Sequence, residues 1–199
     1  MEKEQNTIDE EIQKIVDEQN GFLRIVDVQK TGISKHRINM FIEGMNMRRV
    51  GAGVYAIRRT KDDWWYYLQL RNRNIIFSYE SALYLNKLTT RKPENPVITV
   101  VRGYNAKHIK DRGVLVHTVA EDVFELGLST AKTDEGNEVR VYNKERCICD
   151  LLRRKSRIDQ KTLLLSLSKY FEKNNEDYER LMEYAEIMGV TDRIAPYLD

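Results

Sequence analysis

Apolar residues at helical spacing predict three helices within residues 1–44. The first is expected to run from Thr7, which fits a capping box with Glu10, to a stop at Asn20-Gly21. The second is short and lies around Val28. The third follows the turn Gly32-Ile33-Ser34, with Ser34 as the N-cap residue. Its predicted buried stripe consists of Ile38, Phe41 and Ile42.

Two short β-type runs follow the third helix. They span residues 47–50 and 54–57, and the turn Gly51-Ala52-Gly53 joins them as a hairpin. Helices followed by a hairpin are typical of a winged helix-turn-helix, in which the third helix enters the major groove of DNA. Residues 1–61 are therefore predicted to form a winged helix-turn-helix DNA-binding domain.

The remainder of the chain mixes predicted strands with helices. Residues 62–74 are expected to be a connecting helix whose seven large side chains, at 64–70, pack between the domains. Residues 75–199 are expected to form the C-terminal domain, with strands at 75–77, 97–101, 114–119 and 138–142. Helices are expected at 78–88 and at about 143–154, 159–173, 177–188 and 191–198, with Asn143, Asp159 and Thr191 as N-caps. The predicted fold class is α+β: a winged helix-turn-helix, then a mixed α/β domain that ends in a helical bundle.

Composition narrows the class of protein. The 199 residues are 41% hydrophobic and 32% charged, and no apolar run approaches the ~18 residues of a membrane span. The first residues lack the basic region and apolar stretch of a signal peptide. Two cysteines are too few for a disulfide framework. We expect a soluble, cytoplasmic protein.

The net charge of +2 conceals four blocks of alternating sign. Residues 1–20 have two basic and seven acidic residues, a net charge of −5, and residues 21–61 have nine and two, a net charge of +7. Residues 140–170 have nine and three, giving +6, and residues 171–199 have three and eight, giving −5. One such block alone is commonly a solvated face. Two separate basic segments indicate anionic partners.

The candidate DNA-binding residues lie on the third helix and in the hairpin. A helical wheel places four side chains opposite the apolar stripe, those of His36, Asn39, Met40 and Glu43, and places Arg37 at its edge. The candidates for contact with base edges are His36, Arg37, Asn39 and Met40. Ser34 and Lys35, near the helix N-terminus, are candidates for phosphate contact. Four arginines expected on the wing strands would attract phosphate regardless of sequence: Arg48, Arg49, Arg58 and Arg59. Glu43 on the same face counts against DNA unless it accepts from cytosine, and small winged helices also serve as protein-interaction modules.

No motif indicates catalysis. His36, His108 and His117 lie in different predicted elements, and Cys147 and Cys149 lack a partner pair, so no metal-ligand set is expected. Glycine-rich phosphate loops and the G-x-S-x-G elbow are absent from the sequence. The stretch 134–140 resembles a nuclease pattern only in degenerate form. We expect neither an enzyme nor a bound cofactor or metal.

The predicted helix at 143–155 is rich in arginine. Ile148, Leu151 and Leu152 are expected to form its core stripe, and its predicted outer face consists of Arg146, Asp150, Arg153 and Arg154. Asp150 could simply pair with Arg153 or Arg154. An arginine-rich face is equally suited to docking on an acidic protein or on phosphate. Both interpretations stay open at this point.

Five segments resemble the abortive-infection AbiE-type antitoxin family (AbiEi-like), the antitoxin half of type IV toxin–antitoxin pairs. They are the turn Gly32-Ile33-Ser34, the wing residues 48–55, and the segments 78–85, 141–153 and 178–198. The resemblance spans nearly the whole chain. Many regulators share the wing motif, whereas the stretch from Tyr142 to Arg153 is more distinctive.

The resemblance implies two activities. Such proteins repress their own operon by binding inverted repeats in the promoter, and they neutralise a co-expressed nucleotidyltransferase-like toxin, directly or indirectly, in phage defence. The resemblance does not identify the neutralising residues. The second basic block suggests a set, as a hypothesis: Lys144, Arg146, Arg153, Arg154, Lys155 and Arg157. The alternatives are a plain winged-helix transcriptional regulator, whose C-terminal domain senses a ligand or merely packs, and an enzyme acting on nucleic acid.

Overall fold

Residues 2–153, 159–172 and 177–197 are described by the structure, a computed structural model. The chain divides into two units, with the boundary between Arg71 and Asn72. Both units combine helices with a β-sheet, which confirms the α+β part of the predicted class. Within the described residues, no helix is long and apolar enough to cross a membrane.

The first unit alternates helices with short strands. In chain order it contains α1 (Glu2–Glu18), β1 (Phe22–Arg24), α2 (Ile25–Gln29), α3 (Lys35–Gly44), β2 (Arg48–Gly51), β3 (Val54–Ala56) and α4 (Trp64–Arg71). The three strands form an antiparallel sheet in the order β1-β3-β2. Since α1 begins before Thr7, the predicted capping box is wrong.

The core of this unit lies where α1, α2 and α3 pack against one another and against β1. Its buried residues include the predicted stripe of α3 and apolar positions of the other elements: Ile12, Val16, Leu23, Val28, Ile38, Phe41, Ile42 and Met47. Leu23 belongs to β1, a strand that the sequence pattern did not reveal because its three residues are too few to show alternation. The apolar residues that recur at helical spacing in α1 and α3 thus face the core, as predicted.

The aromatic helix α4 is part of the first unit. Its N-terminus is capped by Asp63, whose Oδ1 accepts a hydrogen bond from the Tyr66 backbone N–H at 2.9 Å. Tyr66 packs edge-to-face on Phe22, with ring centroids 5.3 Å apart. Tyr67 lies so close to Gly51 that a Cβ atom there would collide with its ring. The helix therefore packs on the sheet of this unit.

The second unit is built on a five-stranded mixed sheet. Its strands are β4 (Ile76–Phe77), β5 (Val97–Val101), β6 (Leu115–Val119), β7 (Leu128–Lys132) and β8 (Glu138–Tyr142), in the order β6-β5-β4-β8-β7. The pairs β4–β8 and β5–β6 are parallel, and the pairs β4–β5 and β7–β8 are antiparallel. Four of these strands correspond to the predicted ones. Strand β7 was not predicted, because it is an edge strand with mostly exposed residues and no apolar alternation.

The helices of the second unit are α5 (Tyr79–Leu85), α6 (Lys107–Lys110), α7 (Lys144–Arg153), α8 (Gln160–Tyr170), α9 (Tyr178–Met188) and α10 (Thr191–Ile194). Helix α7 packs against α5, α8, α9 and α10, so its residues 145–152 are buried on every side. Asn143 and Asp159 are N-caps as predicted, and each accepts a backbone hydrogen bond from the third residue after it. Thr191 is the first residue of α10 and not its cap.

Candidate nucleic-acid interface

The exposed face of α3 is the strongest candidate for a binding surface in the first unit. Because Ile38, Phe41 and Ile42 turn one side of the helix into the core, the opposite side is exposed. Its side chains are Lys35, His36, Asn39, Met40 and Glu43. Four of them, His36, Asn39, Met40 and Glu43, follow the helical wheel derived from the sequence, and Lys35 was placed near the helix N-terminus. The face combines hydrogen-bond donors, acceptors and one apolar side chain.

The N-terminus of α3 is well defined and not neutralised by acid. Ser34 is extended (φ −66°, ψ 147°), and its Oγ accepts from the Arg37 backbone N–H at 3.3 Å. The first turn of the helix contains no acidic residue. Because helix N-termini carry partial positive charge, Ser34 and Lys35, both exposed, have the chemistry of a phosphate contact.

Arg37 differs from the other predicted base-reading residues. Its guanidinium lies 2.8 Å from Asp9 Oδ1 on α1, and its side chain is only 14% exposed. The side chain therefore joins α3 to α1, and it is not presented on the exposed face. The sequence contained no signal for this pairing, because 28 positions separate the two residues and the helical wheel placed Arg37 only at the edge of the exposed face.

Two of the four arginines expected on the wing strands, Arg48 and Arg49, lie on β2 and differ in how firmly they are held. Arg48, on β2, is tied to the turn after β3: its guanidinium lies 2.6 Å from Asp62 Oδ1 and donates to the Thr60 carbonyl at 3.0 Å. Arg49 is exposed on the same strand, and its Nε reaches the Gly51 carbonyl at 3.4 Å. The hairpin register shifts between Arg49 and Gly51, which is the local irregularity of a bulge.

Arg58 and Arg59 are not on a strand, which corrects the prediction. Both lie in the turn that follows β3, and both are exposed. Arg58 donates to the carbonyl oxygen of Asn46 at 3.2 Å and to its Oδ1 at 3.0 Å, so it braces the segment between α3 and β2. Arg49 and Arg59 are thus the more accessible charges, whereas Arg48 and Arg58 also hold the hairpin in place.

The second predicted site, on α7, is arranged differently from the prediction. Arg146 and Asp150 were expected on an outer face, but their side chains are 1% and 3% exposed. Arg146 Nε donates to Asp150 Oδ2 at 3.3 Å, and Nη1 donates to the carbonyls of Val123 and Leu126 at 2.9 Å. The guanidinium also lies 4.3 Å from the centroid of the Tyr142 ring. Arg146 is therefore a buried structural residue and cannot meet a partner protein.

The remaining cations of that set fall into two groups. Lys144 is half-buried at the start of α7, and Arg153 is exposed at its end. The carbonyls of Leu152 and Arg153 accept hydrogen bonds from Arg193 Nη1 at 2.9 and 3.0 Å, which caps this end of the helix. Arg154, Lys155 and Arg157 lie outside the described residues. Asp150 pairs with Arg146, a partner that the sequence analysis did not consider.

A polar cluster that the sequence did not reveal lies on the second unit. Asp134, in the turn between β7 and β8, accepts from Lys92 Nζ at 2.7 Å and from Tyr84 Oη at 2.8 Å. The hydrogen bond from Lys92 and that from Tyr84 hold the pKa of Asp134 below its ordinary value. The hydrogen bond between Tyr84 and Asp134 also raises the pKa of Tyr84. The three residues come from distant segments, so no local pattern could have identified them.

The two cysteines, Cys147 and Cys149, are buried in α7. Among the residues that the structure describes, no three His, Cys, Asp or Glu side chains converge as metal ligands. Burial raises the pKa of Cys149 to about 12 and also raises that of Cys147, so both thiols stay protonated near neutral pH. An open cavity of about 280 Å³ is lined by charged residues of both signs, including Glu80, Arg91 and Asp159.

No known protein family matches the chain, and no curated protein matches it significantly.

Proposed function

We propose that this protein is a DNA-binding antitoxin of the type IV class, which represses its own operon and neutralises a nucleotidyltransferase-like toxin. The observation that carries the DNA-binding half is the exposed polar face of α3, followed directly by the β2–β3 hairpin with its arginines. The order α1, β1, α2, α3, β2, β3 and the sheet order β1-β3-β2 support a winged helix-turn-helix in this unit.

In this proposal α3 lies in the major groove and the hairpin lies along the neighbouring backbone. His36, Asn39 and Met40 would meet base edges, because their side chains are exposed on the face opposite the core. Ser34, Lys35, Arg49 and Arg59 would contact phosphates, which fixes the register of the helix without reading sequence. Arg37, Arg48 and Arg58 would hold α3 and the hairpin in their relative positions through Asp9, Asp62 and Asn46.

Binding to its own upstream region tests this half of the proposal. We would measure binding of the full chain to the upstream duplex and to a scrambled duplex at two salt concentrations. Selective binding that persists at the higher salt is expected, because base contacts are less salt-dependent than phosphate contacts. Equal binding to both duplexes, or no binding, would contradict it and would instead favour a protein-interaction module.

The antitoxin half is supported by the resemblance of residues 141–153 and 178–198 to AbiE-type antitoxins. Because Arg146 is buried, it no longer belongs to the hypothetical set of neutralising residues. Among the described residues Arg153 is the exposed one at the C-terminal end, next to the basic sequence that contains Arg154, Lys155 and Arg157. An exposed arginine such as Arg153 suits contact with an acidic patch on the toxin or with a phosphate-bearing ligand.

A growth assay tests the antitoxin half. Cells that express the proposed nucleotidyltransferase-like toxin should grow when the wild-type chain is also expressed. Arg153→Glu should weaken this rescue. Lys110→Glu, which reverses an exposed charge on α6, is the matched control and should rescue normally. Rescue by Arg153→Glu equal to wild type would remove the basic end of α7 from the site. No rescue by the wild-type chain would contradict the antitoxin half altogether.

A second candidate function is a transcriptional regulator whose second unit senses a small ligand. The open cavity of about 280 Å³ favours it, because its volume is close to the lower limit of small-molecule sites. Selective DNA binding together with the absence of a toxic partner would support this candidate over the antitoxin.

A further inference from the structure

We infer that α3 recognises thymine through Met40, which contacts the C5-methyl group of the base in the major groove. This inference rests on the proposed DNA binding and specifies what the same surface reads. It assigns the operator an A·T pair within reach of the middle of α3. The argument depends on which side chains the exposed face offers and on which of the predicted ones it lacks.

The exposed face offers no arginine for guanine. Bidentate contact from arginine or lysine to guanine O6 and N7 is the commonest specific contact in the major groove. Lys35 lies at the N-terminus of α3, where the proposed function assigns it to phosphate. Arg37 was the candidate for it, but its guanidinium is paired with Asp9 at 2.8 Å and only 14% of the side chain is exposed. The central part of the face is therefore left to Asn39 and Met40, with Glu43 one turn further on.

Met40 is an apolar side chain in the middle of a polar face. Its side chain is 43% exposed, and the neighbouring side chains on this face, those of Asn39 and Glu43, are exposed as well. Single exposed apolar residues are common on protein surfaces and by themselves need no explanation. Here the residue occupies the position that a groove-binding helix presents to base edges. The thymine methyl is the apolar group on the major-groove edge of a base pair.

The neighbours of Met40 favour the same base pair. The Asn39 side-chain amide can accept from adenine N6 and donate to adenine N7, the preferred pairing of asparagine. Consecutive residues of a helix rise by about 1.5 Å, whereas base pairs are about 3.4 Å apart. Asn39 and Met40 therefore reach the same base pair or adjacent ones. The carboxylate of Glu43 can only accept, which suits the amino group of adenine or cytosine.

Replacing thymine by deoxyuridine tests the inference, because it removes the methyl group and changes no hydrogen-bonding group. Wild-type protein should bind the upstream duplex about fourfold more weakly for each contacted thymine that is replaced, as expected for loss of one methyl-sized contact. Met40→Ala should bind the thymine duplex more weakly by a similar factor and should show no further loss on deoxyuridine. Met40→Leu should keep most of the sensitivity.

Met45→Ala is the matched control. Met45 is 42% exposed, nearly as much as Met40, but it is the C-cap residue of α3 and follows the exposed face. Met45→Ala should respond to deoxyuridine as the wild type does. Selective binding that is indifferent to deoxyuridine, or equal losses in wild type and Met40→Ala, would overturn the inference and leave DNA binding intact. Absence of selective binding would overturn the proposed function together with it.

Discussion

At the scale of single residues, Arg146 shows how a charge can be buried without being left uncompensated. Its guanidinium has a carboxylate partner, two backbone carbonyls and the face of an aromatic ring. The two carbonyls belong to the segment between β6 and β7, so one side chain joins that segment to α7. Gly127 lies against the Arg146 Cβ with a positive φ of 75°, where a side chain would collide. Arg146 therefore fixes the position of a whole segment.

Arg146→Ala should lower the free energy of unfolding by about 3–5 kcal/mol, because it leaves the buried Asp150 carboxylate without its cation. Chemical denaturation followed by circular dichroism measures the effect. The double variant Arg146→Met with Asp150→Leu should recover most of the loss, since it removes both charges. Arg153→Ala, on the exposed end of α7, should change stability by less than about 0.5 kcal/mol. A single variant as stable as the wild type would contradict the structural role.

The burial of this pair was not predictable from local sequence. Arg146 and Asp150 are four residues apart, a spacing that on most helices is a solvent-exposed pair. What buries them is packing on several sides of α7, by elements as far away in sequence as α5, which ends about sixty residues before α7 begins. Helix existence, by contrast, was predictable, because the apolar residues Ile148, Leu151 and Leu152 recur with the right period.

At the scale of elements, the ion pair between Arg37 and Asp9 joins α1 to α3. Arg37→Ala and Asp9→Ala should each destabilise the protein, and a double-mutant cycle should give a coupling energy of about 1 kcal/mol. Thermal or chemical denaturation provides the four values. Glu10→Ala, an exposed acid on the same helix, is the control and should not couple to Arg37. Additive effects of the two substitutions would show that the pair does not connect the helices.

The hydrogen bonds of Asp134 join the β7–β8 turn to α5 and to the segment before β5. Because the folded pKa of Asp134 is depressed, its contribution to stability is fully present above its ordinary pKa of 3.8 and is lost as the pH falls through the lower folded value. Asp134→Asn should therefore cost up to about 1 kcal/mol at neutral pH and progressively less below pH 3.8. Denaturation over a pH series checks this. Asp122→Asn, which removes an exposed carboxylate elsewhere in this unit, is the control and should change stability at neutral pH by less than about 0.5 kcal/mol.

Strands were harder to predict than helices, for a physical reason. Residues 97–101 and 138–142 were predicted because they are apolar or alternate, and both are buried by the sheet. β1 was not predicted because it has only three residues, and β7 was not predicted because it is an exposed edge strand. The exposed face of α3 could be predicted from its apolar stripe. The contacts of Arg37, Arg48 and Arg58 could not be predicted from the sequence, because each depends on a partner that only the fold brings close.

At the scale of the whole molecule, charge is segregated within the first unit. Seven acids lie in residues 1–20, which include α1, and nine basic residues lie in residues 21–61, which include α3 and the hairpin. Such segregation gives the unit an electrostatic polarity that can orient an approaching polyanion. Several of the basic side chains are engaged by acids or by the backbone, among them those of Arg24, Arg37, Arg48 and Arg58. The charge available to DNA is therefore smaller than the sequence total.

The salt dependence of DNA binding should distinguish the exposed arginines from the engaged ones. Each phosphate contact contributes about 0.9 to the slope of log K against log salt. Arg49→Ala and Arg59→Ala should each reduce the slope by about that amount and weaken operator and scrambled duplexes alike, because phosphate contacts carry no sequence information. Lys110→Ala, on α6 of the second unit, should leave the slope unchanged. Arg48→Ala should lower the free energy of unfolding, since Asp62 would lose its partner, and should change the slope less than Arg49→Ala does. Equal slopes for all four variants would mean that the hairpin arginines do not touch the DNA backbone.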